Sequence, residues 1–114
     1  MNNLQVIASF KIHDGQSEAF KAIAAQMLKI VKENEPGTTQ YDAFFSADQT
    51  ECIAVETYED SAAVFAHLAD VGDLLGKLLE VSEMRLEVLG NPSEELRAAS
   101  AAMNPKVYSF FQGL

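Results

Sequence analysis

An α+β fold, an antiparallel sheet of four strands with two helices on one face, is predicted by three features of this sequence. Four runs, 4–12, 38–45, 51–58 and 82–89, show strand alternation or β-rich composition. Stretches beginning near 16 and 61 change to helical spacing, and Gly, Pro, Asn and Asp mark the joins.

In the first run Val6, Ala8, Phe10 and Ile12 alternate with Gln5, Ile7, Ser9 and Lys11. Ile7 on the second face implies that both faces are at least partly covered. His13-Asp14-Gly15 turns the chain. From Gln16, Phe20, Ile23, Met27, Ile30 and Val31 form one apolar stripe, which predicts a helix to about 34, stopped by Pro36-Gly37. Two β-rich runs follow, joined by the loop Ser46-Ala47-Asp48-Gln49-Thr50.

Asp60 is the expected N-cap of a second helix to about 69, buried through Val64, Leu68 and Val71. Residues 70–80, with two glycines, read as a loop and a short covering helix. Met84, Leu86 and Val88 alternate with Glu83, Arg85 and Glu87 in the fourth strand. Asn91-Pro92-Ser93-Glu94 reads as an Asn N-cap with Pro at the first helical position, opening a third helix to about Met103. The end, 106–114, is too apolar for a free tail and is expected to dock on its own domain or on a partner subunit.

The order β-α-β-β-α-β is the ferredoxin-like arrangement. It divides the chain into a domain at 1–90 and a C-terminal helix and aromatic tail at 91–114. Helices cover only one sheet face; the other is expected to carry apolar side chains from every strand and to pair with a second copy, giving a homodimer.

At 114 residues the chain is one domain by length, and 48% hydrophobic with 22% charged residues is ordinary for a globular protein. Seventeen acids against eight scattered bases give a net charge of -9, which argues against nucleic-acid and anionic-membrane partners. No apolar run approaches the ~20 residues of a membrane span. Met1-Asn2-Asn3-Leu4 has no basic leader, so a cytoplasmic protein is expected. The single cysteine, Cys52, excludes an internal disulfide and reads as a small buried hydrophobe.

The element order, together with EPGTTQY at 35–41, ETYED at 56–60 and SAAVFAHLA at 61–69, resembles the antibiotic biosynthesis monooxygenase family of the dimeric α+β barrel superfamily. The likeness spans roughly Val6 to Leu89. It implies a homodimer and, for the enzymes of the family, oxygenation of quinols or polyphenolic polyketides by O2 without metal or flavin. Tyr41, Glu56, Tyr58 and His67 fall on positions that recur in the family pattern. The chain has no Trp, whereas haem-degrading relatives use one with a His and an Asn, so haem breakdown does not carry over.

Three residues are therefore candidate catalytic groups. Glu56 interrupts an apolar strand and reads as a general base taking a phenolic proton, as an anchor for the histidine, or as a structural carboxylate held by backbone or by His67. His67 lies on the apolar side of its helix, suited to proton transfer with a phenol or equally to a satisfied core position. Tyr41 either bonds a substrate oxygen or packs in the sheet. It lies opposite Glu56 if Phe45 pairs with Cys52, and a slip of one residue separates them. Phe10, Phe44, Tyr58 and Phe65 are candidate pocket walls. No metal site is expected, because His13 is remote and no ligand-spaced partner accompanies His67. No flavin- or nicotinamide-binding motif occurs, so no cofactor is expected.

The function so predicted is a cofactor-independent monooxygenase acting on a small aromatic quinol, phenol or polyketide-like substrate with O2. The alternative is a non-catalytic dimeric barrel that binds a hydrophobic metabolite or a regulatory partner.

Overall fold

The computed structural model describes residues 3–114; residues 1 and 2 of the expected first domain lie outside the described residues. The chain forms β1 (Leu4–Ile12), α1 (Ser17–Asn34), β2 (Thr38–Phe45), β3 (Glu51–Tyr58), α2 (Ser61–Glu80), β4 (Ser82–Leu89), α3 (Glu94–Ser100), a 3-10 turn (Ala101–Met103) and β5 (Lys106–Tyr108). The sheet order is β2-β3-β1-β4-β5. The first four strands pair antiparallel, as the ferredoxin-like order requires, and β5 adds to β4 in parallel. The sheet is therefore mixed, not purely antiparallel.

Alternation sets the two faces. Leu4, Ala8, Phe10 and Ile12 of β1 and Cys52, Glu56 and Tyr58 of β3 are buried, and Phe20, Met27 and Val31 of α1 close over much of this face. The outer face carries Ile7, Phe44, Ile53 and Val55, with Phe44 and Ile53 well exposed. β4 turns Glu83, Arg85 and Glu87 outward, because Met84, Leu86 and Val88 align with Phe10, Ala8 and Val6 of the inner face. Its only apolar contribution outside is Leu89, so the outer apolar patch belongs chiefly to β1, β2 and β3.

Two helices differ from the sequence expectation. α2 is unbroken over Ser61–Glu80. A Cβ at Gly72 or Gly76 would meet nothing within 4 Å, so neither glycine serves a turn or close contact. The buried residues Val64, His67, Val71 and Leu78 keep one stripe throughout, and that burial offsets the ~1 kcal/mol each glycine costs. Asp60 caps it as expected, its carboxylate accepting from the Ala63 amide at 2.9 Å. α3 is capped by Ser93 rather than Asn91: its hydroxyl accepts from the Leu96 amide at 3.1 Å. The Ser93 amide in turn donates to the Ser61 hydroxyl at 2.9 Å, tying α3 to the start of α2.

Beyond β5, Phe110, Phe111 and Leu114 are exposed. The pairing of Val107 with Val88 joins the C-terminal segment to its own domain.

Pro36-Gly37 does more than stop α1. A Cβ on Gly37 would stand 2.9 Å from the Ala63 Cβ, so the entry to β2 runs against the first turn of α2 at a separation only glycine allows. Gly37→Ala is expected to destabilise the fold by about 1–3 kcal/mol through overpacking. Adding Ala63→Gly should recover part of that loss; urea denaturation of the two single variants and the double variant checks the coupling.

Candidate active site

The inner sheet face, α1, α2 and the segment running from α3 to β5 enclose a predominantly apolar cavity of about 600 Å³. Phe45 pairs with Cys52 and Tyr41 with Glu56, the register that sets Tyr41 and Glu56 side by side on the inner face. From this pair to the Phe45–Cys52 pair is four residues, roughly 13 Å of strand at ~3.3 Å per residue. The cavity thus has an ionisable end, with Tyr41, Glu56, Tyr58 and His67, and an apolar end beside Phe10, Phe20 and Phe45.

His67 is brought to the ionisable end by its place three residues after Val64 on the buried stripe of α2. Its Nδ1 lies 2.9 Å from Glu35 Oε1, and its Nε2 lies 4.0 Å from Glu56 Oε1. The Tyr41 ring meets the imidazole edge-on at 5.3 Å between centroids, and the Tyr58 ring at 5.5 Å. The imidazole therefore stands between two carboxylates and two phenols.

Each carboxylate has further support. Thr38 Oγ1 donates to Glu35 Oε1 at 2.9 Å. The Tyr58 hydroxyl donates to Glu56 Oε1 in a short bond. Burial pushes the Glu56 carboxyl above its ordinary range, against the opposing pull of the Tyr58 bond and of His67; Glu35 adds to the rise. Burial, then the charge of Glu56, holds both the Tyr41 and Tyr58 hydroxyls neutral far above the ordinary phenol range. Tyr58 thus acts here as a hydrogen-bond donor, and neither phenol is a base.

Of the sequence candidates, Tyr41, Glu56, Tyr58 and His67 meet at one end of the cavity, and Phe10 lines its wall. Phe44 does not. Alternation turns it to the opposite sheet face, where it is 58% exposed. Phe65 packs beside Leu4, Tyr58, Val64 and Leu96 rather than lining the cavity. Cys52 is buried and burial pushes its thiol up, which makes it an unreactive wall group. Among the described residues, no group of three His, Cys, Asp or Glu side chains is placed to hold a metal ion. No described helix is long and apolar enough to cross a membrane.

Glu35 was invisible as a site residue in the sequence, where it reads as part of a helix stop. One signal pointed to it. An acid at a helix C-terminus opposes the macrodipole, so its carboxylate calls for a partner elsewhere.

The sequence profile of the antibiotic biosynthesis monooxygenase family matches residues 4–70. No curated protein matches the chain significantly. Among solved structures, MupZ from Pseudomonas fluorescens superposes over 100% of this chain and 94% of its own, with TM-score 0.88 and 26% identity. Rv0793 from Mycobacterium tuberculosis covers 82% of this chain and 98% of its own, with TM-score 0.70 and 24% identity. SnoaB, a cofactor-independent oxygenase from Streptomyces nogalater solved as its N63A mutant, covers 82% of this chain and 96% of its own, with TM-score 0.69 and 17% identity.

The raised pKa of Glu56 has a consequence for stability. Between its ordinary value of 4.5 and the raised folded value, the native state binds more protons than the unfolded state. Stability is then present below 4.5 and is lost as pH rises through that window. Glu56→Gln keeps an acceptor for Tyr58 and removes the titration. Its urea midpoint should exceed that of the parent at neutral pH and vary less between pH 4.5 and 8; a midpoint below the parent's at pH 7 contradicts this account.

Proposed function

This chain belongs to the antibiotic biosynthesis monooxygenase family, and we propose that it oxygenates a small electron-rich aromatic, a quinol, phenol or polyketide-like compound, with O2 and no cofactor. The observation that carries this reading is the imidazole of His67, backed by Glu35 on Nδ1 and facing Glu56 and the cavity through Nε2. The likeness to a cofactor-independent oxygenase adds support at the level of fold.

With the Glu35 carboxylate accepting from Nδ1–H, the Nε2 lone pair takes the phenolic proton. The imidazolium so formed is stabilised between two carboxylates. Tyr41 donates a hydrogen bond to the substrate oxygen and favours the anion. The phenolate passes one electron to O2, and the radical pair recombines into a carbon–oxygen bond. The resulting peroxide loses its geminal C–H proton and expels hydroxide, breaking the O–O bond. One oxygen atom remains in the quinone, and the other leaves as water. The apolar walls orient the ring and keep bulk water from the anion.

The proposed assembly is a homodimer formed through the outer sheet face, supported by the exposure of Phe44 and Ile53 at the centre of the apolar patch.

Oxygen uptake and quinone formation over a panel of hydroquinones and anthrones test the activity. His67→Ala should lower kcat by about 10²-fold or more, with a smaller loss in Tyr41→Phe. Tight binding of the panel without uptake would replace the oxygenase reading by a ligand-binding one. The dimer is tested by light scattering on a sizing column. A mass of twice the 12.4 kDa protomer is expected, falling to one protomer in the double variant Phe44→Glu, Ile53→Glu.

A further inference from the structure

Next to the cavity, and sharing Leu28 and Tyr41 with it, lies a second and more open depression of about 370 Å³. It sits where the end of α1 meets the start of β2, among Lys32, Glu35, Thr38, Thr39, Gln40 and Tyr41. Lys32 and Thr39 are exposed, whereas the Glu35 side chain is only 2% exposed. Glu35 Oε1 is occupied by Thr38 and His67, but Oε2 is buried with no hydrogen-bond partner among the described residues. A buried carboxylate oxygen without a partner is costly to keep, so its retention asks for a reason.

We propose that Glu35 is a proton relay, carrying protons between His67 and solvent in this depression, so that the imidazole stays in equilibrium with bulk water while the cavity is filled. The path has three links. A proton taken at Nε2 leaves the far nitrogen of the imidazolium, Nδ1, which is 2.9 Å from Glu35 Oε1. Glu35 becomes the neutral acid. The proton is then bound to Oε1, so the acid rotates about Cγ–Cδ and passes it to a water entering from the depression that Glu35 lines, which restores the carboxylate. Only protons move, and the reverse path restores each group.

Titratable groups line both ends of the path. Glu56 and Tyr58 on β3 and Tyr41 on β2 face the imidazole from the cavity side, and the Glu56 carboxyl is bonded by Tyr58. Lys32, exposed at the end of α1, lines the depression that receives the proton. Glu35 is accordingly a positioning residue that acts through His67 and does not touch the substrate.

The inference deepens the proposed oxygenase site, yet it is tested without turnover. With 15N-labelled histidine, the exchange of the His67 Nδ1 proton with water is measured by NMR in the parent, Glu35→Gln and Lys32→Trp. Gln holds the imidazole but cannot accept its proton, and Trp on the exposed end of α1 covers the depression. Exchange should slow at least tenfold in Glu35→Gln, slow in Lys32→Trp as well, and recover in part in Glu35→Asp. Exchange as fast in both Glu35→Gln and Lys32→Trp as in the parent overturns the relay, whether or not any phenol is oxidised. Where a phenol is oxidised, Glu35→Gln should lower kcat with KM unchanged and increase the solvent isotope effect. A change confined to KM overturns the relay without touching the oxygenase reading.

Discussion

The contact between Glu35 and His67 is the constraint on which the candidate site depends. It joins residues 32 positions apart and ties three elements at one point: the end of α1, the start of β2 through Thr38, and the middle of α2. An ionisable pair removed from water is stable only when its remaining polar atoms are also held. Thr38 holds one side of the pair, and Glu56, itself bonded by Tyr58, faces the other. Taking away one member would leave the others desolvated without compensation, so the cluster behaves as a unit rather than as a sum of side chains.

Much of the fold is legible in the sequence because period and punctuation agree there. Val6, Ala8, Phe10 and Ile12 mark a strand face, and Phe20, Met27 and Val31 mark a helix face, with turn residues between them. α2 is less legible. Gly72 and Gly76 carry a local signal against helix, but the burial of Val71 and Leu78 in the tertiary core outweighs it. The Ser93 cap similarly prevails over Asn91-Pro92 because its amide also finds Ser61, a partner no local rule reveals.

The site divides along the same line. His67 and Glu56 announce themselves as ionisable groups within apolar stretches. Tyr41 depends on register, which the Ser46–Thr50 loop decides: the Ser46 amide bonds the Glu51 carbonyl at 2.9 Å and Gln49 takes a positive φ of 64°, setting Phe45 against Cys52. Phe44 and Phe65 illustrate the limit of composition as a guide, since an aromatic residue near a pocket in sequence can face the other side of the sheet or a neighbouring cluster. Glu35 lies at the far limit. Its place at a helix C-terminus calls for a partner, but that partner is 32 residues away and no local rule names it.

One wall of the cavity is made by Ser100, Ala101, Met103, Asn104, Pro105 and Val107, the stretch that leads into β5. β5 holds the sheet by a parallel ladder of three residue pairs and by the Gly90 amide bonding the Tyr108 carbonyl, whereas β1 is paired along nearly its whole length on both sides. Short edge pairings open at far smaller free energy than central ones. One wall of the cavity thus rests on an appendage held by a short edge pairing, whereas its ionisable end rests on β2, β3 and α2. The residues that shape the apolar lining and the residues that carry the buried charges thus sit on separate elements, so one set can be substituted while the other keeps its place.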